Sequence, residues 1–315
     1  MARSDMLKEN KKRQRGILYG RRLIQVKVSH RHRWLAFALV FFIIMVLVCW
    51  SVFQSRNALT YSSYSVHSDK ITKPIRVVQL TDLHNSIFGK DNQRLIDLVK
   101  EQLPDLILIT GDLLNSGESE TKIAEALIAD LCGIAPVYVS LGNHEVEYQE
   151  RYGVDMAARY EDAGAVVLDK QYRDITVNGQ QIRLGGIYGY CLPAKFLKTG
   201  EADPEECAFL EEFENTDFYT ILMCHMPVCW LINDGLDEWK VDCVFSGHVH
   251  GGQVILPFIG GVYAPDMGWF PGRLEGAFYS ENGKKTLILS RGLGNTEWIP
   301  RWNNTPEIVA VNIVP

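Results

Sequence analysis

Between Ile75 and Leu141 short apolar runs alternate with stretches of helical spacing, and this alternation narrows the architecture more than any other feature of the chain. Ile75–Leu80 reads as a strand and Asp91–Leu103 as a helix, with Leu95, Val99 and Leu103 on one face and Pro104 closing it. Leu106–Thr110 reads as a second strand, Ser119–Leu131 as a second helix and Val137–Leu141 as a third strand. Parallel neighbours need a crossover between them, so strands separated by helices predict a largely parallel α/β sheet covered by helices. Beyond Leu141 the pattern shifts toward strands. Asp174–Ile187 carries Asn178-Gly179, a hairpin turn pair, and Phe218–Cys224, Val241–Phe245, Thr286–Ser290 and Ile308–Val314 follow as apolar runs. The roughly 245 residues from Lys70 to Pro315 fit one domain, large enough to fold without disulfides.

Polar residues stand where these strands end. Asp82-Leu83-His84 follows the first, Gly111-Asp112 the second and Gly142-Asn143-His144-Glu145 the third. His225 closes Phe218–Cys224, and Gly247-His248-Val249-His250 follows Val241–Phe245. Taken singly, an Asp-x-His or a Gly-Asp is usually a cap or a turn. In open α/β sheets, however, ligands collect outside the carboxyl ends of strands, which places every one of these groups on one rim. Their aspartates, imidazoles and single amide are the donors that a pair of divalent cations needs, which predicts a metal-dependent hydrolase. Glycines 111, 142, 247 and 251 suit tight turns that bring backbone close to such a site.

The front of the chain is of a different kind. Trp34–Ser55 has no charged residue, and at 1.5 Å per residue a helix over it spans roughly 30 Å, the thickness of a bilayer core. Residues 1–33 hold eleven Lys and Arg against two Asp and Glu, so the positive-inside rule predicts a basic cytoplasmic tail, a single-pass anchor over 34–55 and the remainder outside the cytoplasm. Arg21-Arg22 lies too far ahead of the apolar run for a twin-arginine signal. Residues 56–73, rich in Ser and Tyr, read as a linker, and 74–315 as the catalytic domain. The net charge is plus nine over 1–33 and minus fifteen over the rest. An acidic body argues against a nucleic-acid partner, whereas the basic tail suits anionic lipid headgroups. Six of the seven cysteines lie in the domain with no CxxC pair, which argues against a zinc ribbon, and Cys224 and Cys243 sit in apolar runs as buried thiols.

The ordered set D-x-H, G-D, G-N-H-[DE], H, G-H-x-H over residues 75–250 resembles the calcineurin-like metallophosphoesterase superfamily. Ser246–Gln253, reading SGHVHGGQ, is similar to its membrane-associated bacterial branch. The resemblance implies a four-layer α/β/β/α sandwich with two divalent metal ions. One would be held by Asp82, His84 and His250, the other by Asn143, His225 and His248, with Asp112 bridging. Mixed oxygen and imidazole donors suit manganese, with zinc or iron as alternatives, and are too nitrogen-rich for magnesium. It further implies a water acidified between the ions that attacks phosphorus in line, with His144 beside the leaving-group oxygen and oriented by Asp82 or Glu145. Asn115 stands where purple acid phosphatases have a tyrosine, and no D-R-G follows Asp112, so neither that class nor a protein Ser/Thr phosphatase is expected.

The expected function is hydrolysis of phosphomonoesters or phosphodiesters of membrane or envelope components. The alternatives are soluble nucleotides or nucleic acid as substrate, or a non-catalytic scaffold stabilised by metal. Three segments stay open: Gly186–Tyr190; Pro257–Arg273, a pocket wall, a membrane lip or a packed loop; and Arg291–Asn295, with a candidate phosphate-facing arginine.

Overall fold

The computed structural model describes residues 30–189, 192–193, 195–295 and 300–315, apart from the side chains of residues 30 and 206. Most of the basic tail, Arg21-Arg22, Tyr190 and Cys191 lie outside the described residues. The chain divides into two units at Val48/Cys49. Helix α1, His30–Asn57, carries the apolar run, with Trp34, Phe37, Phe41 and Phe42 exposed. It is long and apolar enough to cross a membrane, a property that signal sequences share.

The second unit is built on two six-stranded mixed sheets. The first contains β1 (Thr60–His67), β2 (Ile75–Leu80), β3 (Leu106–Thr110), β4 (Val137–Ser140), β5 (Val166–Val167) and the last strand, β15 (Glu307–Val314), in the order β1-β15-β2-β3-β4-β5. The helices between them are α2 (Gln93–Glu101), α3 (Lys122–Cys132), α4 (Asn143–Tyr152) and α5 (Met156–Asp162). The second sheet has the order β13-β14-β9-β8-β7-β6, from β6 (Gln171–Val177), β7 (Gln180–Ile187), β8 (Tyr219–Cys224), β9 (Cys243–Ser246), β13 (Gly276–Tyr279) and β14 (Thr286–Leu289), with α6 (Pro204–Glu214) on its outer face. A small third sheet joins β10 (Ile255–Leu256), β11 (Gly260–Ala264) and β12 (Gly268–Gly272).

Strand alternation explains the layering. In β2 and β3, Val78, Leu80, Ile107 and Ile109 face Leu95, Val99, Leu127 and Ile128 of the helices. The intervening Ile75, Val77, Leu106 and Leu108 face the other way, onto Ile182, Leu184, Ile221, Met223 and Phe245 of the second sheet. Leu222, Val244 and Leu287 then pack outward against Leu210 and Phe213 of α6. Both central sheets are therefore buried on both faces, which is the four-layer α/β/β/α order expected from the sequence.

Three differences have local causes. The stretch read as a linker contains β1, an edge strand paired in parallel with β15 from Thr60↔Glu307 to His67↔Val314. Its inward residues Tyr64 and Val66 pack on the core between the sheets, while Ser62, Ser63 and Ser65 give the segment its linker-like composition. Helix α2 stops at Glu101, two residues early, and Leu103 is exposed at φ 50°. A residue before proline is disfavoured in the α region, which is why the helical spacing breaks there. Pro257–Arg273 contains β11 and β12 of the small sheet rather than a packed loop.

Candidate metal centre

The loops after β2, β3, β4, β8 and β9 all open on one rim, and their side chains converge there. Asp82, His84, Asp112, His225, His248 and His250 are all buried. Asp82, His84, Asp112, His248 and His250 also have positive φ, between 48° and 69°. Non-glycine residues held in the left-handed region each cost on the order of 1 kcal/mol, and they persist only where surrounding contacts over-determine them. Close approach does the rest. A Cβ on Gly142 would collide with the Asp112 carboxylate, and one on Gly247 with Thr81 and Asp82, so only glycine admits these loops.

Two separate donor groups result, and a further set, His84, Asp112 and His144, shares a residue with each. Asp82, His84 and His250 form one, with Asp82 Oδ1 at 3.9 Å from His84 Nε2 and 3.7 Å from His250 Nε2. Asp112, His225 and His248 form the other. Asp112 Oδ2 lies 3.1 Å from His225 Nε2 and 3.8 Å from His84 Nε2, so it reaches into both groups. Asn143 Oδ1 is 3.2 Å from His225 Nε2. The arrangement thus brings together all seven residues expected as ligands.

Hydrogen bonds behind the rim settle how the rings face it. His225 Nδ1 donates to the Thr110 carbonyl at 2.6 Å, turning Nε2 toward the site. Asn115 spends its amide N–H groups on the His84 carbonyl and Glu118, so its Oδ1 accepts from His84 Nδ1 at 3.0 Å and leaves His84 Nε2 bare. His248 Nε2 is buried with no hydrogen-bond partner, and Asp266 Oδ2 stands 3.6 Å away. An orphaned imidazole nitrogen among carboxylates is costly in a protein interior and is satisfied by a cation. The donor set therefore fits divalent metal. At His250, the guanidinium of fully buried Arg301 donates to Nδ1 at 3.1 Å, which puts that ring's proton on Nε2, where a cation competes for the position.

Electrostatics follow from burial and pairing. Burial drives His84 down to about 3 and pushes His250 well below the ordinary histidine value. Burial opposes the charged forms of His225 and Asp112 as well, but each is the other's partner. His225 is raised to about 10, and Asp112 is held below the usual carboxylate range. Burial pushes Asp82 up, and it accepts the His248 backbone N–H at 3.0 Å.

His144 begins α4 beside the first group, its ring edge-on to His84 at 4.7 Å between centroids. Neither Asp82 nor Glu145 orients it. The Ser116 backbone N–H donates to His144 Nδ1 at 3.1 Å instead. The Glu145 carboxylate accepts the backbone N–H groups of Asp112, Leu113 and Gly142 at 2.7–2.8 Å and the Tyr160 hydroxyl at 3.0 Å. It thereby ties two rim loops into one unit. Glu145→Gln replaces one acceptor oxygen with a donor that faces amide donors, and we expect a loss of about 2–4 kcal/mol, since each stranded buried donor costs roughly 1–3 kcal/mol. Urea unfolding measures it, and a change within experimental scatter would mean that these amides find other acceptors.

Sequence reasoning missed Ser116, Asn115, Asp266 and Arg301. Ser116 acts through its backbone, and Arg301 belongs to no motif. Arg291, the candidate phosphate-facing arginine, is taken up instead by Glu307 at 2.6 Å. Cys49, Cys132, Cys224 and Cys243 are free thiols.

Residues 75–252 match the calcineurin-like phosphoesterase family. The chain is 29% identical over 285 residues to an uncharacterized metallophosphoesterase of Campylobacter jejuni, covering 86% of this chain and 68% of that protein. It is 26% identical over 247 residues to the phosphodiesterase YaeI of Escherichia coli, covering 76% and 83%. Among solved structures it is similar to the phosphopantetheinyl hydrolase of Mycobacterium tuberculosis, at 14% identity and a TM-score of 0.41, covering 69% of this chain and 89% of that one. With the family match extending over more than half of its length, the chain belongs to the calcineurin-like phosphoesterases.

Proposed function

We propose that the protein is a membrane-anchored phosphoesterase that uses two divalent ions, manganese in the first instance with zinc or iron as alternatives, to hydrolyse phosphate esters of membrane or envelope components. The observation that carries the reading is Asp112 Oδ2, which faces His225 of one donor group and His84 of the other. Asp82, His84 and His250 would hold one ion, Asn143, His225 and His248 the second, and Asp112 both. Such ions supply Lewis-acid polarisation of phosphoryl oxygens and an acidified water for in-line attack.

The chain's own residues account for the leaving group. Because Ser116 N–H donates to His144 Nδ1, the neutral ring carries its proton on Nε2. As the phosphorus–oxygen bond breaks, that N–H donates a hydrogen bond to the departing oxygen and stabilises the charge developing there, and the oxygen takes its proton from water. A diester preference is supported by the name of the E. coli relative. The membrane context is supported by α1 and by the charge difference between tail and body, which favours an anchor with its N-terminus in the cytoplasm and the domain outside. A reporter fused after Pro315 that is active only in the cytoplasm would reverse that topology.

Rates on an activated monoester and an activated diester, after the purified full chain is stripped and reloaded with manganese, zinc or iron, test the activity. Metal-dependent diester cleavage is expected; metal-replete protein inert toward both would leave the scaffolding alternative. A second expectation concerns protons. His225 is protonated below about pH 10 beside Asp112, whereas a ligand nitrogen must be bare. Metal uptake at neutral pH therefore releases about one proton from this residue, and affinity weakens by up to about tenfold for each unit of acidification. Calorimetric titration with manganese in two buffers of different ionisation enthalpy reads the release, and equal heats in both would contradict it.

A further inference from the structure

The small sheet β10-β11-β12 exposes a group of large apolar side chains. Phe258 is fully exposed at the β10–β11 turn, Ile259 beside it is 55% exposed, and Trp269 and Phe270 on β12 are 71% and 57% exposed. Tyr263 on β11 lies against Trp269 at 5.2 Å between ring centroids. Contiguous exposed aromatic and aliphatic surface of this kind marks an interaction site.

Its position identifies the partner. The loop at 302–304 grips the last turns of α1, with Asn303 N–H donating to Ser51 Oγ at 2.9 Å and Asn304 N–H to Ser55 Oγ at 3.2 Å. The same loop holds the small sheet: Ile255 N–H donates to the Trp302 carbonyl at 3.0 Å and Asn303 Nδ2 to the Ile255 carbonyl at 3.1 Å. Ser51 is the first residue after the continuous apolar run that ends at Trp50. Phe258 lies three residues beyond Ile255, at most about 11 Å of chain away. A sheet fastened to the point where an apolar helix ends lies at the height of lipid headgroups, where Trp and Tyr collect at membrane interfaces.

We propose that Phe258, Ile259, Trp269 and Phe270 insert into the interfacial layer of the lipid bilayer, making the small sheet a second membrane contact beside α1. The proposal rests on the membrane reading of α1. It has a consequence for the site, because the β11–β12 turn at the far end of the sheet carries Asp266, which stands 3.6 Å from His248. Trp269, paired with Tyr263, lies at that same end, and Phe258 and Ile259 lie at the other, about 13 Å away along the five-residue strand β11. The metal centre is thereby held close to headgroup level, where phosphate esters of lipids are presented.

The test uses the full chain labelled with 5-fluorotryptophan in phosphatidylcholine/phosphatidylglycerol nanodiscs. The resonances missing from Trp269→Phe and Trp50→Phe assign the two signals in the fluorine spectrum. Spin-labelled lipid is expected to broaden both signals, and a soluble gadolinium chelate to broaden neither strongly. With Phe258→Asp and Ile259→Asp introduced together, Trp269 is expected to lose its lipid broadening while Trp50 keeps it. Broadening of Trp269 by the chelate alone would place the sheet in water and overturn the proposal. Protection from both agents would mean that protein covers the sheet, a second copy included, and would overturn it equally. Loss of lipid broadening at Trp50 would remove the membrane reading of α1 and the proposal with it.

Discussion

His144→Ala lowers kcat on a phosphodiester with an alkoxide leaving group by about 10²- to 10³-fold, the usual contribution of a hydrogen-bond donor aimed at developing negative charge, and leaves metal content unchanged. The expectation follows from the ring's surroundings. His144 Nδ1 is committed to the Ser116 N–H, so only Nε2 faces outward, and it does so as a donor. Asp112 accepts the backbone N–H of His144 at 2.9 Å, an interaction that alanine preserves, so the bridging carboxylate keeps its place. The loss should depend on the leaving group. A nitrophenolate departs without a proton and needs little help, so the same variant should be far closer to wild type on a nitrophenyl ester. Rates on the two esters together with metal analysis separate a donor to the leaving group from a merely structural histidine. An equal loss on both esters, or a fall in bound metal, would contradict the role.

How much of the fold and site is legible in the sequence depends on the kind of residue. Buried parallel strands are legible because their two apolar faces leave near-continuous runs such as Leu106–Thr110, bounded by turn residues. The rim is legible for a related reason: each motif follows its strand directly, so locating the strands locates Asp82, Asp112 and His248. Edge strand β1 is hidden because its exposed face needs no apolar residues, and Ser and Tyr in alternation look like a tether until β15 lies alongside. Helix α4 is obscured by the motif that opens it, since Asn143-His144-Glu145 and the polar residues after it give no apolar periodicity.

The parts that hold the imidazoles are the least legible. Three of the ring-facing partners act through backbone or from distant sequence: Thr110 by its carbonyl, Ser116 by its amide and Arg301 from fifty-one residues beyond His250. No local pattern carries such information, because it comes into being only when the loops meet. Glu145 is an instructive intermediate case. Its place in G-N-H-E marks it for attention, but only the geometry distinguishes a carboxylate that orients His144 from one that staples the loops on either side of Asp112.

Asp112→Asn is expected to have the other large effect, abolishing most metal retention and lowering activity by at least about 100-fold. Removal of an outer partner of a metal ligand already costs 10- to 100-fold, and Asp112 faces both donor groups directly. The substitution is nearly isosteric, so the backbone contact from His144 to Oδ1 survives. What changes is charge. Without the carboxylate the largest offset to the burial that lowers His225 is gone, leaving only Asp82 and the Thr110 carbonyl to favour its charged form, so a neutral ring is expected in the variant, able to accept from the new amide across the present 3.1 Å separation. The fold should therefore hold, with a thermal midpoint within a few degrees of wild type, and the proton released on metal uptake should disappear together with the affinity. Metal analysis after dialysis, thermal unfolding and the two-buffer titration read these three quantities on one preparation. A folded variant that keeps a full complement of metal would show that Asp112 pairs with His225 for stability alone, and the two donor groups would then have to act without a common ligand.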